Sequence, residues 1–399
     1  MKQGLKIILR SGKDDAVRRF HPWIFSGAIK KIEGNPADGK HAEVFSNKNE
    51  YLGCGIYQDA SIAVRILAFA PERPESFGTE FWVEKIQRAM EIRRVARLTS
   101  DPSTNVFRLV HGEGDHLPGL IIDDYDGNLV VQIHAIGLYR FLDDIAAALQ
   151  RVYGARLKSI YDKSRDTLPK SFWQERQPRG FLVGTANDIE VLENGHRFLV
   201  DIEQGQKTGF FIDQRENRQL LTRYCRDRKV LNTFCYTGGF SVYALAAGAR
   251  EVHSLDSSAR AMEMTARNVE LNFPEAPPHR CITSDANQYL HANTEEYDLI
   301  VLDPPAFAKH THVKHNAVQG YKRLNLEAMK KIQPGGILFT FSCSQVIDMN
   351  LFRSTVMAAG ILAGRQLRLL HQMSQGPDHP VNMFHPEGHY LKGLVLIVD

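Results

Sequence analysis

The chain opens on short runs in which apolar and polar positions alternate: KIILRS, HAEVFSN, YLGCGIY and SIAVRIL, separated by Gly, Asn and Asp. Alternation is the period of a half-buried strand, because successive side chains leave on opposite faces. Residues 1–73 therefore predict a small β-barrel. The stretch APERPESFG, with two prolines and a glycine, breaks the pattern and reads as a linker. TEFWVEKIQRAMEIRRVARL then repeats its apolar positions at helical spacing. LPGLIIDDYDGNLVVQIHA reads as two strands about an Asp-Gly turn and YRFLDDIAAALQRVY as a helix, with SIYDKS after it. Together these predict a central α+β unit over residues 74–193.

From residue 194 the pattern changes. KVLNTF, REVHSLD, DLIVLD and GGILFTFS are apolar runs with few interior charges, as buried parallel strands are. FSVYALAAGA, SARAMEMTARNVELN, DANQYLH and KRLNLEAMKKI are interleaved with them as helices. Alternating β and α over residues 194–399 predicts a doubly wound sheet, with its ligand at the carboxyl ends of the strands. The expected class is α/β, preceded by the barrel and the α+β unit.

Composition narrows the picture. A chain of 399 residues exceeds one ordinary core of roughly 100–200 residues. At 43% hydrophobic and 24% charged it is neither disordered nor fibrous. The five cysteines, Cys54, Cys225, Cys235, Cys281 and Cys343, include no CxxC pair, so neither a disulfide framework nor a cysteine zinc site is expected. That usage fits a reducing, cytoplasmic location. MKQGLKIILRSGKDD lacks the apolar core of a signal peptide, and no run approaches the roughly 18 apolar residues of a membrane span. The net charge is +3, yet residues 1–40 alone hold nine Lys/Arg against four acids, a local +5 that leaves −2 for the rest. Positive charge gathered at one end is the footprint of a polyanion binder, although a solvated basic face has the same composition. Arg18, Arg19, His21 and Trp23 are candidates to pair with and stack on RNA, with a core role for Trp23 as the alternative.

Chemistry is expected just after the strands of the last unit. KVLNTF leads into Asn232, Phe234, Tyr236 and the Gly238-Gly239 pair, a turn whose glycines allow close approach of a ligand. It is not GxGxxG, so a dinucleotide pyrophosphate is poorly supported. Asp256 ends the second strand, where a carboxylate can accept both hydroxyls of a ribose. Asp285 follows the third in SDAN, and Asp303 the fourth in LDPPAF. Asp256 and Asp285 also read as helix N-caps, and Asp213 with Glu216 as a capping box.

The succession FCYTGGF, Asp256, SDA, LDPPAF and FSCS resembles the class I S-adenosylmethionine-dependent methyltransferases, specifically the bacterial large-subunit ribosomal RNA cytosine-5 methyltransferases. The resemblance spans essentially the whole chain. RRFHPWIFSGAI is similar to that family's N-terminal PUA RNA-binding domain, RLVHGEGDHLPGLIIDDY to its central domain, and GQKTGFFIDQRENR to the lead into its catalytic domain; PDHPV and YLKGL also match. It implies that Thr208, Gly209, Phe211, Asp213, Asn232, Phe234, Tyr236, Gly238, Asp256, Ser257, Asp285, Ala286 and Asp303 surround S-adenosylmethionine, with Asp256 on the ribose and Asp285 on the adenine amino group. Asp303 and Cys343 would face the target base in large-subunit ribosomal RNA.

Cys343 ends GGILFTFSCS at the same sheet edge as Asp303. Carbon 5 of cytosine is a weak nucleophile, and a thiolate added at carbon 6 converts the ring into an enamine that can attack a methyl group. A buried cysteine is otherwise a small hydrophobe, as the other four are expected to be. Lys309, Lys322 and Arg323, with Lys314, share a basic stretch suited to phosphate contacts. His310, His312 and His315 lie there without a carboxylate or cysteine at ligand spacing, so no metal is expected. GNPADGK imitates a phosphate loop, but His41 replaces its Ser/Thr and a strand follows. The rival readings are a guanine-nitrogen methyltransferase of the same fold, a non-catalytic RNA-binding assembly factor and, more distantly, a nicotinamide dehydrogenase. The oligomeric state is not legible, a homodimer being one alternative to a monomer.

Overall fold

The structure is a computed structural model that describes residues 4–308 and 313–399. It divides into two compact units, each built on its own sheets. The first runs to Val191 and adds Val200–Ile212 and Pro377–Gly388; the second comprises Leu192–Leu199, Asp213–Gly376 and His389–Asp399.

In the first unit, β1 (Leu5–Leu9), β2 (Trp23–Phe25), β3 (Ile29–Glu33), β4 (His41–Phe45), β5 (Tyr51–Tyr57) and β6 (Ile62–Phe69) form a six-stranded sheet in the order β2-β6-β5-β4-β1-β3. The one-turn helix α1 (Asp15–Arg18) follows β1. Alternation works as expected in β1, where Leu5, Ile7 and Leu9 are buried and join Val44, Val64 and Ile66 in one core. A five-stranded sheet follows, made of β7 (Val106–His111), β8 (Leu120–Tyr125), β9 (Asn128–Ile133), β10 (Ser159–Asp162) and β11 (Gly180–Val183) in the order β11-β10-β9-β8-β7. Asp126 (φ 54°) and Gly127 (φ 81°) turn β8 into β9 with both residues left-handed, the conformation an Asp-Gly hairpin turn requires. Helices α2 (Thr79–Val95), α3 (Ile136–Tyr139) and α4 (Leu142–Tyr153) complete this part, and α2 buries Trp82, Ile86, Ala89 and Arg93 along one face. β12 (Ile189–Glu193) and β13 (His196–Val200) pair as a separate ribbon.

The second unit carries a seven-stranded sheet of β14 (Lys229–Thr233), β15 (Glu251–Asp256), β16 (His279–Thr283), β17 (Tyr297–Leu302), β18 (Ile332–Ser342), β19 (Leu367–Met373) and β20 (Lys392–Val398). Helix α5 (Arg215–Leu221) precedes β14, and α6 (Gly239–Ala246), α7 (Ala259–Asn272), α8 (Ala286–Ala292), α9 (Lys314–Lys331) and α10 (Met349–Ala363) lie between the strands in the chain. The order is β16-β15-β14-β17-β18-β20-β19. The sheet is the doubly wound one expected, parallel except at β20, which runs antiparallel to both β18 and β19. From β14 the chain builds outward to β16, then crosses back to β17 on the other side of β14. That reversal opens a crevice at the carboxyl ends of β14 and β17, where ligands of such sheets bind. Val230, Leu231 and Leu299 to Leu302 are buried, which explains why these strands read as unbroken apolar runs. No helix among the described residues is long and apolar enough to cross a membrane.

Candidate active site

Strain gathers immediately after β14. Phe234 (φ 54°) and Tyr236 (φ 49°) are left-handed, a conformation that costs side-chain-bearing residues about 1–3 kcal/mol each. Gly238 is left-handed as well (φ 78°), and a Cβ there would lie 2.7 Å from Thr265 Cγ2. Just before the turn, Asn232 is 1% exposed; its Nδ2 donates to Ser241 Oγ at 2.9 Å, while Oδ1 has no partner. A buried acceptor left unpaired costs about 1–3 kcal/mol, so its persistence marks a place for a ligand donor.

The aspartates divide between the cap and ligand readings. Asp256 does not cap α7: Ser258 does, through Oγ accepting the Ala261 amide at 3.3 Å. Asp256 instead accepts the Tyr236 amide on Oδ2 at 3.1 Å and the Ser258 amide on Oδ1 at 3.0 Å, tying the end of β15 to the strained turn. Asp285 is the N-cap of α8, accepting the Gln288 amide at 2.9 Å, and is otherwise exposed. Ser257 is exposed and Ala286 buried beside these ends. The capping box proposed for Asp213 and Glu216 does not form. Gln214 holds the cap position of α5 with no side-chain cap bond, because Asp213 Oδ2 is taken by the Tyr390 hydroxyl at 2.6 Å and Oδ1 is buried without a partner.

Asp303 leaves β17 in the DPP turn and accepts Gln214 Nε2 at 3.0 Å. Gln214 is itself fixed, its Oε1 accepting Asn217 Nδ2 at 2.6 Å. Dense packing, and then the neighbouring Asp213 carboxylate, push the Asp303 carboxyl up to about 7. Cys343 follows β18, half-buried, with Sγ 3.8 Å from the Pro304 carbonyl of the same DPP turn. Burial, Asp303 and Asp213 push its thiol up to about 11, and Lys392 opposes them. The structure thus brings Asp213, Asp303 and Cys343 together. Gln214, Tyr390 and Lys392, which no local spacing singled out, complete the surroundings; only the GQKTGFFIDQRENR and YLKGL strings contained them.

Thr208, Gly209 and Phe211 belong to the first unit. Thr208 is fully buried, donating to Asp123 Oδ2 at 2.6 Å with its oxygen 2.9 Å from the Tyr125 hydroxyl. Gly209 (φ 127°) lies so close to Asp201 that a Cβ would stand 2.9 Å from its carbonyl oxygen, and Phe211 is half-buried.

The candidate RNA contacts fare unequally. Arg18 is tied into ion pairs with Asp14 and Glu50 and is not the free cation expected. Arg19 is exposed. Trp23 is half-buried rather than core, its Nε1 donating to Glu113 at 2.9 Å and its ring 4.3 Å from that of His385. Exposed Phe20 and Phe384, 5.3 Å apart, extend this aromatic surface. Lys322 is half-buried and Arg323 exposed on α9; Lys309 lies outside the described residues. Among the described residues, His21, His385 and Glu387 bring ligand-type atoms within 4.8 Å of one another. His21 Nδ1 already accepts the Trp23 amide at 3.2 Å, so in the neutral ring Nε2 carries the proton and has no lone pair for a metal.

Residues 108–380 match the S-adenosylmethionine-dependent methyltransferase family, and residues 7–69 a PUA-like domain. Two solved structures share the fold over 98% of this chain and 100% of their own: a protein from Streptococcus mutans described as a SAM-dependent methyltransferase, at TM-score 0.82, and a methyltransferase complexed with S-adenosylhomocysteine, at 0.84, both 22% identical. Sheet order, crevice and family match together define an S-adenosylmethionine-dependent methyltransferase carrying a PUA-like domain, and S-adenosylmethionine is its cofactor. A protein named ribosomal RNA large subunit methyltransferase I, from Tolumonas auensis, is 38% identical over 397 residues, 98% of each chain. The chain belongs to the family of that protein.

Proposed function

We propose that the protein methylates carbon 5 of a cytosine in large-subunit ribosomal RNA, with Cys343 as a covalent nucleophile. The observation that carries this reading is the position of the Cys343 sulfur against the DPP turn, beside an Asp303 carboxyl pushed up to about 7. The ribosomal substrate is inferred from the relative named ribosomal RNA large subunit methyltransferase I.

The crevice fits the cofactor. Asn232 Oδ1 and Asp213 Oδ1 are buried acceptors without partners, suited to cationic groups, and Asp256 stands at the strand end suited to a ribose. Phe234, Tyr236, Gly238, Ser257, Asp285, Ala286 and Asp303 would line it within the second unit. When bound, S-adenosylmethionine supplies an electrophilic methyl group. Asp303, protonated below about pH 7, donates to ring nitrogen 3 of cytosine and offsets the charge that develops there. The Cys343 thiolate adds to carbon 6, and the displaced π pair makes carbon 5 nucleophilic. Once carbon 5 carries the methyl group, loss of its proton restores the double bond and expels the thiolate.

In this reading residues 1–73 and 74–193 serve RNA binding and support, and residues 194–399 the chemistry. Arg19, His21, Trp23, Lys322 and Arg323 would contact RNA. A cytoplasmic location belongs to this reading, and free cysteines and a relative named for ribosomal RNA support it. The test is large-subunit RNA incubated with the protein and methyl-labelled cofactor, then digested to nucleosides. Label in 5-methylcytidine is expected; label in a methylated guanosine would replace this reading with the guanine-modifying one.

A further inference from the structure

Lys392 opens β20 and pairs across the sheet with Ser342, the residue before Cys343. It is 2% exposed, and its Nζ donates to the Ser344 carbonyl at 2.7 Å and the Tyr390 carbonyl at 2.6 Å. The side chain therefore reaches from the position opposite Ser342 to the carbonyl of Ser344, bridging the backbone at Cys343. An ammonium has three N–H donors, and the two carbonyls account for two. Among the described residues no carboxylate forms an ion pair with it. The groups of opposite charge that favour its ionisation are Cys343 and Asp348, and Asp348 is exposed, capping α10 through the Leu351 amide at 2.9 Å. A buried cation without a counter-anion is costly, and burial pushes Lys392 down to about 8. On the other side, Asp303 and Asp213 oppose ionisation of Cys343 and Lys392 favours it. Tyr321, whose hydroxyl lies 3.0 Å from Ser344 Oγ, is held neutral by burial.

We propose that Lys392 is the counter-ion of the Cys343 thiolate, a positioning residue whose buried charge is reserved for the sulfur rather than for a carboxylate. The proposal rests on Cys343 being the nucleophile and deepens that reading. On activation the Sγ–H bond breaks, its proton passes to water, and the electron pair stays on sulfur beside the ammonium. The charge of Lys392 is present below about pH 8 and is lost above it. Protonation of Asp303, the largest charge opposing the thiolate, acts in the same direction.

The test follows alkylation of Cys343 by iodoacetamide in the full-length protein across pH 7–10, read by mass spectrometry, with exposed Cys281 as internal reference. Lys392→Gln keeps amide donors for the two carbonyls and removes the charge. It should slow Cys343 alkylation about tenfold at pH 7.5, the equivalent of about one unit in the thiol's pKa, with S-adenosylmethionine binding retained. Lys392→Arg restores the charge and should bring the rate to within about twofold of wild type. The arginine also stays charged above pH 8, so its profile keeps rising where the wild-type profile bends over. Equal profiles for Lys392→Gln and wild type would overturn the proposal. Should the glutamine variant not fold, superimposable arginine and wild-type profiles would overturn it. Alkylation does not depend on the methylated base, so methylation of cytosine by Cys343→Ala would defeat the covalent reading while leaving this coupling separately measured.

Discussion

Two clusters of buried charge, one in each unit, are built on opposite terms. In the first unit Arg93 is fully buried and fully used, donating to Asp115 as a two-pronged pair and to the carbonyls of Arg108, Ala89 and Asp378. Asp115 in turn accepts the His111 amide at 2.6 Å. In the second unit the cluster of Asp213, Asp303, Cys343 and Lys392 is underpaired. Two carboxylates crowd one thiol, Asp213 Oδ1 has no partner, and the buried lysine has only carbonyls. Buried charge saturated by hydrogen bonds holds a fold together. Left short of partners, it stores a capacity that a substrate can fill.

The largest effect should come from breaking the saturated cluster. Arg93→Met leaves the Asp115 carboxylate buried and unpaired, which costs about 3–5 kcal/mol. All three tryptophans, Trp23, Trp82 and Trp173, lie in the first unit, so urea denaturation followed by tryptophan fluorescence reads this loss directly. A change under about 1 kcal/mol would mean that the pair is not structural. Next comes Asp256→Ala, which removes charged acceptors from the ribose position and should weaken S-adenosylmethionine binding about ten- to hundredfold, or 1.5–3 kcal/mol. Calorimetry measures it, and unchanged affinity would remove Asp256 from the site.

Asp303→Asn should move stability the other way. A carboxyl whose folded pKa, about 7, lies above its unfolded value keeps its proton on folding at intermediate pH and releases it on unfolding. Wild-type stability therefore falls as pH rises from about 4 to about 7, and the deficit is complete above that. The asparagine variant lacks this deficit. It should be more stable by about 2 kcal/mol at pH 8, and nearly equal to wild type at pH 4, in urea melts at the two values. Equal stability at both would show that Asp303 is not held in a costly state. The smallest effect concerns the surface. Arg19→Glu should lower the slope of log affinity for RNA against log salt by about 1, whereas Arg18→Glu, already paired in the wild type, should change it less. The reverse order would exchange their roles.

What the sequence revealed depended on how local the cause was. The Asp126-Gly127 turn, the buried face of α2 and the strands β14, β15 and β17 are set by neighbouring residues, and their patterns were legible. β2 and β3 were not: one has three residues, and the other exposes Lys30 and Lys31. α9 starts at Lys314 rather than Lys322. Its polar first turns hide Gly320, where a Cβ would stand 2.9 Å from Phe307 Cδ2, so a residue that argues against a helix is there for packing. In the site, the strand-end aspartates were visible because the sheet places them. The capping box at Asp213 was misread because its competitor, Tyr390, lies 177 residues away. Lys392 and Gln214 act on Ser344 and Asp303 across gaps of 48 and 89 residues, and Pro377–Gly388 joins the first unit although it follows nearly the whole of the second. Periodicity carries no trace of such long-range pairings.

The central claim is covalent catalysis at carbon 5, and RNA containing 5-fluorocytosine tests it most directly. Fluorine cannot leave as a proton, so the methylated ring should remain bonded to the sulfur. A protein–RNA adduct that survives denaturation, carries one transferred methyl group and maps to Cys343 is the predicted result. Cys343→Ala should form no adduct and lose turnover by more than about a thousandfold while still binding S-adenosylmethionine. Absence of an adduct with the wild-type protein, together with cytosine methylation by Cys343→Ala at a comparable rate, would contradict the mechanism.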